Sequence, residues 1–141
     1  MSHENRDRHP ISWSADAVES LANGWRQDNR SYVMATVVDN GGSTPRLAGA
    51  RLITDGHVFG GTVGGGAVEQ LVLSKCQSLL ASTERSTTIN VHLVRDLAMC
   101  CGGKMSVFLN KIEASPNLVI FGAGHIGRSL ATICAESEFK V

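Results

Sequence analysis

Apolar residues at Val18, Leu21, Ala22 and Trp25 recur three and four positions apart, which sets them on one face of a helix. Ser14 or Asp16 stands ahead of that face as a capping residue. Tyr32 to Val38 is nearly unbroken in apolar and β-favouring residues, which predicts a central strand covered on both faces. Arg51–Thr54 and His57–Phe59 then flank Asp55-Gly56, the dipeptide of a tight hairpin. The helical period returns at Val68, Leu71, Val72, Cys76, Leu79 and Leu80. Two alternating stretches follow, Ile89, Val91 and Leu93 against Asn90 and His92, then Met105, Val107 and Leu109 against Ser106 and Asn110. Each predicts a half-buried strand. A last apolar run, Leu118 to Phe121, precedes another helical pattern.

Strands and helices mixed in this way predict an α/β chain. A mixed-sheet domain is expected over residues 13–112, a linker containing Pro116 over 113–117, and a single βα unit over 118–141. Residues 1–12 read as a frayed polar tail.

Charge and composition narrow the function classes. Thirteen Lys and Arg balance thirteen Asp and Glu over 141 residues. With no basic stripe and no interleaved aromatics, nucleic-acid binding has no electrostatic basis. No apolar stretch approaches a membrane span and the first ten residues lack a signal-peptide core, so a cytoplasmic setting is expected, with no membrane partner. The four cysteines, at 76, 100, 101 and 134, do not form a disulfide framework in such a setting. Cys76 and Cys134 lie in helical patterns and are expected to serve as small core residues.

Three loops could carry chemistry. Gly41-Gly42-Ser43-Thr44-Pro45-Arg46 combines flexible backbone, hydroxyls and a forked cation, which suits an anion and equally suits a plain surface turn. Gly64-Gly65-Gly66 opens a helix, where unshielded amides and the helix dipole favour negative charge. Glu69, one turn in, reads as a capping or dipole-complementing residue rather than a base. Cys100-Cys101-Gly102-Gly103 sets adjacent thiols in a glycine loop that could meet a soft metal centre or a sulfur-bearing cofactor. Its spacing does not fit a zinc site. His57 and His92 read as surface histidines. No Ser-His-Asp order, carboxylate pair or H-E-x-x-H is present, so hydrolytic readings have no support. Near the C-terminus, Gly122-Ala123-Gly124-His125-Ile126-Gly127 follows the Leu118–Phe121 run. This is the G-x-G-x-x-G fingerprint that opens a dinucleotide-binding βαβ unit. The acidic ribose-binding residue belongs about 20 residues further on, where the sequence given ends.

Taken in order, Gly42-Ser43-Thr44-Pro45-Arg46 with Gly49-Ala50, Gly64-Gly65-Gly66-Ala67-Val68-Glu69, Cys101-Gly102-Gly103 and Val119-Ile120-Phe121-Gly122-Ala123-Gly124-His125-Ile126-Gly127 resemble the XdhC/CoxI family of xanthine dehydrogenase accessory factors. The resemblance implies an XdhC/CoxI domain followed by a Rossmann-type domain, here incomplete. It implies a non-catalytic chaperone role: binding molybdenum cofactor, protecting it during sulfuration and delivering it to a molybdenum hydroxylase such as xanthine dehydrogenase. A cysteine desulfurase as a further partner and a homo-oligomeric state are also expected. On this reading Ser43, Arg46, Gly64, Gly65 and Gly66 hold the phosphate of the pterin, and Cys101 or Cys100 approaches molybdenum. Gly122, Gly124 and Gly127 form the remaining nucleotide-type loop, with NAD(P) or another nucleotide as its open ligand.

Two other readings compete. The fingerprint alone would suit an NAD(P)- or flavin-dependent oxidoreductase fragment, although His125 interrupts the loop and no substrate domain accompanies it. The loops could also be plain turns of a structural or assembly module.

Overall fold

The computed structural model describes residues 14–93 and 102–141. The expectation for the N-terminal tail falls outside them. Helix α1 (Ala15–Gln27) is followed by β1 (Tyr32–Gly41), β2 (Arg51–Thr54) and β3 (Phe59–Gly61). Helix α2 (Gly66–Leu80) then leads to β4 (Ser86–His92), β5 (Lys104–Ile112) and helix α3 (His125–Ala135). The five strands form one sheet in the order β3-β2-β1-β5-β4.

The α/β class holds, while the sheet, expected to be mixed, is antiparallel at every pairing. The chain order explains this. The α2 crossover joins β3 to β4, which run in the same direction but lie at opposite edges of the sheet. Three strands stand between them, so the crossover creates no parallel pair.

Ser14 is the residue that caps α1, its hydroxyl accepting the Ala17 N–H at 3.1 Å, and Asp16 sits in the first turn. Val18, Ala22 and Trp25 of α1 bury against Ile53 and Tyr32. On the other face of the sheet, Val68, Val72, Cys76 and Leu79 of α2 bury against Val33, Ala35, Val37, Leu52, Val107 and Leu109. The first half of β1 is therefore covered on both faces, as its unbroken apolarity predicts. A register shift between Val37 and Asp39 ends this, leaving Val38 half exposed and carrying the strand on to Gly41.

The β2–β3 turn is longer than a two-residue hairpin, and β3 starts at Phe59 rather than His57. Asp55 causes the difference. Its Oδ1 accepts the N–H groups of both His57 (2.9 Å) and Val58 (3.0 Å), an Asx-type turn that holds these residues out of the ladder.

The 113–117 linker is fastened to the α1–β1 turn. The Asn29 side chain accepts from the Ser115 N–H at 2.8 Å and donates to its carbonyl at 2.9 Å. Ser31 Oγ accepts the Ala114 N–H. Beyond it, the expected Leu118–Phe121 strand is reduced to a single parallel bridge between Asn117 and Lys140. A strand forms a ladder only with neighbours to pair against. Accordingly α3 buries no residue, Cys134 is only partly covered rather than in a core, and Phe121 is 96% exposed. Among the described residues, no helix is long and apolar enough to cross a membrane.

Candidate functional site

One end of the sheet collects the end of β1, the starts of β2 and β5, the ends of β3 and β4 and the N-terminus of α2. The Gly42–Arg46 loop leaves β1 at this end and lies between the other two glycine loops. On one side it meets Gly102-Gly103. A Cβ built on Gly103 would come within 2.8 Å of Ser43 C and Thr44 Cγ2, and closer still to the Ser43 carbonyl oxygen. On the other side Pro45 covers Gly64, where a Cβ would meet Pro45 Cγ at 2.8 Å. Glycine at 64 and 103 is therefore what lets three segments, distant in sequence, approach closely, through the Pro45 ring at Gly64 and through the Ser43 backbone at Gly103.

Asn40 shapes the loop from within. Its side chain accepts the Ala48 N–H at 2.9 Å and donates to Thr44 Oγ1 at 3.3 Å, and that hydroxyl donates to the Arg46 carbonyl. Nothing in the motif reading singled out Asn40, though an Asn at the exit of a strand is a common turn signal. Ser43 and Arg46 are both exposed.

The glycine run ahead of α2 is partly occupied by the protein itself. Glu69 is 6% exposed and accepts from the Gly65 N–H at 3.0 Å and from the Thr62 hydroxyl. Thr62 Oγ1 in turn accepts the Gly64 N–H at 3.3 Å. Glu69 thus acts as a cap that reaches back to the residue before the helix. Two of the amides expected to meet a phosphate, those of Gly64 and Gly65, are already bonded. Gly66 opens the first turn, where N–H groups lack intrahelical acceptors. Around Gly65 and Gly66 a Cβ would touch nothing within 4 Å.

Arg46 borders a cleft of about 510 Å³ whose lining includes Asp16 and Glu19 of α1, Arg51 at the start of β2, and Gly61 and Thr62. Arg51 and Glu19 pair across it at 2.7 Å. Motif reading missed this cleft, because α1 offers no signature beyond its amphipathic spacing.

Cys100 and Cys101 lie outside the described residues. Gly102, the next residue in the chain, is exposed beside Gly42. No group of three or more His, Cys, Asp or Glu side chains suited to a metal occurs among the described residues.

Gly122, Gly124 and Gly127 do not join this cluster. They follow the linker, which leaves from the opposite end of the sheet, about 30 Å away along the ten residues of β1. Their local geometry is that of the fingerprint. Gly122 has φ +127°, Gly124 caps α3, and a Cβ on Gly127 would run into the Gly122 carbonyl. The third glycine thus permits close packing of the loop on the helix.

The fold and its loop cluster define the class: an α/β module on an antiparallel sheet, with glycine loops gathered at one end and a G-x-G-x-x-G segment leading into α3 after the linker. The particular family whose sequence model this chain matches is that of XdhC and CoxI, over residues 25–92, just under half of the chain. A protein of Escherichia coli (strain K12), YqeB, described as uncharacterized, is 38% identical over 121 residues. That match takes in 82% of this chain and 22% of YqeB. The crystal structure of a xanthine dehydrogenase from Bacillus halodurans superposes with a TM-score of 0.58 at 23% identity, over 71% of this chain and 30% of that one. At that identity the likeness shows the fold. The chain thus matches less than a third of either protein.

Proposed function

We propose that this chain is an accessory protein that binds molybdenum cofactor and assists its sulfuration and insertion into a xanthine dehydrogenase-type molybdenum hydroxylase. The observation that carries the reading is the meeting of the Gly42–Arg46, Gly64–Gly66 and Gly102-Gly103 loops at one sheet end. The ligand is an anionic, phosphorylated pterin with a dithiolene-bound metal. A surface of exposed backbone with a nearby guanidinium suits its phosphate, and a thiolate in an adjoining loop suits its soft metal. In this reading Arg46, Ser43 and the Gly66 amide take the phosphate side, and Cys101 or Cys100 the molybdenum side. The residues hold and shield the cofactor and carry out no turnover of their own. A cysteine desulfurase supplies sulfur, the hydroxylase receives the product, and the protein works as a homo-oligomer.

The test is co-expression with the cofactor-synthesis enzymes, followed by elemental analysis of the purified protein. Stoichiometric molybdenum in the wild type, reduced in Arg46→Ala and Cys101→Ser, is expected. A wild-type protein free of molybdenum would overturn the reading in favour of a plain assembly module. Tight NAD(P) binding with no molybdenum would favour the oxidoreductase alternative, whose support is the fingerprint geometry at Gly122, Gly124 and Gly127.

A further inference from the structure

The sheet has two edge strands, and they differ. β3 is three residues long and two of them are glycine, a short edge of the kind that resists pairing. β4 is seven residues long, Ser86 to His92, with no proline, glycine or permanently charged residue. It runs against β5 without a register shift from Ser86 to His92, so no bulge turns it away. Its inward and outward backbone groups can be told apart. The Lys111 N–H donates to the Arg85 carbonyl at 2.7 Å and the Leu93 N–H to the Gly103 carbonyl at 3.0 Å, both in the register of the β4–β5 ladder. Thr87, Ile89 and Val91 therefore bond inward, and antiparallel alternation turns the N–H and C=O groups of Thr88 and Asn90 outward. β5 is the one described strand beside β4, so these groups face away from the sheet. Natural sheets guard such an edge with charge, proline or a bulge. β4 carries none of them.

The edge is complementary to itself. A twofold axis through Ile89 sets all seven residues of β4 antiparallel to those of a second copy. Thr88 then lies opposite the partner's Asn90, and both present outward backbone groups, so the two exchange N–H···O bonds as a hydrogen-bonded pair. Ile89 meets its own copy in a non-hydrogen-bonded pair, the closer kind, with Cα atoms about 4.5 Å apart. Ile89 is half-buried and packed against the main core, so the partner's Ile89 covers the part that the fold leaves open. Thr87 meets the partner's Val91, a β-branched pair, and no like charges oppose each other at any position. We infer that β4 is a homodimer interface, two five-stranded sheets joining edge to edge into one antiparallel sheet. The inference gives a surface to the homo-oligomeric state included in the proposed function, rests on that part of it alone, and involves no ligand.

The full 141-residue chain, free of cofactor, is measured by size exclusion with light scattering across a concentration series. A mass of two chains is expected. Thr88→Pro removes an outward N–H that the β4–β5 ladder does not use. Two intersubunit bonds vanish by symmetry, and the dissociation constant of the dimer rises at least about tenfold. Ile89→Lys sets two ammonium groups together at the axis and gives a monomer. Circular dichroism and the melting temperature of each variant establish that the fold is intact. Because Ile89 also touches the core, a third variant reads the interface without introducing charge. Under mild oxidation by copper phenanthroline, Ile89→Cys forms a disulfide-linked dimer, since the Cα separation lies within disulfide range. Thr87→Cys, which faces Val91, and the wild type, with its own cysteines, do not. A wild type that stays monomeric at every concentration would overturn the assignment and leave the edge to a strand of another protein. So would an unchanged dimer in folded Thr88→Pro, or crosslinking of Thr87→Cys in place of Ile89→Cys. None of these readouts involves molybdenum. A β4-paired dimer that retains no molybdenum sinks the cofactor reading alone, and a monomer that retains it sinks this interface alone.

Discussion

Gly103→Ala tests whether the loops truly meet. Gly103 is buried and lies against the Ser43–Thr44 backbone, and the added methyl would fall within 2.8 Å of Ser43 C and Thr44 Cγ2. Two of the three obstacles are main-chain atoms, so no rotamer change relieves the clash. Either the Gly42–Arg46 loop or the start of β5 must move. The start of β5 is held by the pairing of Gly41 with Lys104 and by the Leu93 N–H to Gly103 carbonyl bond at 3.0 Å. The loop must therefore give way. Overpacking of this kind costs about 1–3 kcal/mol. For a chain of this length the cost corresponds to a fall in melting temperature of roughly 4–12 °C. The neighbouring Gly102→Ala is the control, because a Cβ there meets nothing within 4 Å. Urea unfolding of both variants, followed by circular dichroism, reads the difference directly. If Gly103→Ala unfolds at the same midpoint as Gly102→Ala, the close approach does not exist in solution, and the loop cluster with it.

Three further outcomes follow from individual side chains. The Tyr32 hydroxyl is buried without a hydrogen-bond partner among the described residues, so Tyr32→Phe should leave stability unchanged or raise it by about 1 kcal/mol; a loss beyond that in thermal unfolding would refute the orphaned hydroxyl. Burial raises the Asp55 pKa, but the N–H groups of Val58 and His57, with Arg30 and His57, outweigh it and hold the carboxyl below its ordinary 3.8. Its stabilising effect is therefore present above the unfolded-state value and is lost as pH falls through the folded one. Asp55→Asn should cost about 1.5–3 kcal/mol at pH 7 and flatten the acid limb of a stability-versus-pH curve. Gly127→Ala, which presses a methyl into the Gly122 carbonyl, should disorder the fingerprint loop by amide hydrogen exchange while the β1–β5 amides keep their protection.

Much of the fold was legible because the hydrophobic period matches the burial. The Val18, Ala22, Trp25 face of α1 and the Val68, Val72, Cys76, Leu79 face of α2 are the buried faces. Sheet order was not legible, since period two specifies a strand without specifying its neighbour. The β2–β3 turn was misjudged because Asp55 spends its carboxylate on two backbone amides, a side-chain event that the dipeptide Asp-Gly does not reveal. At the site, the three loops were visible as glycine motifs. Their contact was not, because it depends on Pro45 and Ser43 reaching Gly64 and Gly103 across the sheet end.

The position of Glu69 changes how an anion could be held there. A carboxylate already accepts the Gly65 N–H, and through Thr62 it also orders the hydroxyl that accepts the Gly64 N–H. A phosphate arriving at those amides would have to displace it, and two negative charges in one shielded pocket repel strongly. The glycines of this run therefore serve shape more than charge. Gly64 admits Pro45, while the space around Gly65 and Gly66 stays open. The positive charge that a phosphate requires must come from outside the run. Arg46, which borders the α1 cleft, and Lys104, which lies against Gly41, are nearby cations that make no ion pair with a described residue. A ligand held by both features must bridge the loop that separates them. An extended molecule, with its phosphate and its metal at different ends, has the shape to do so, whereas a compact anion does not.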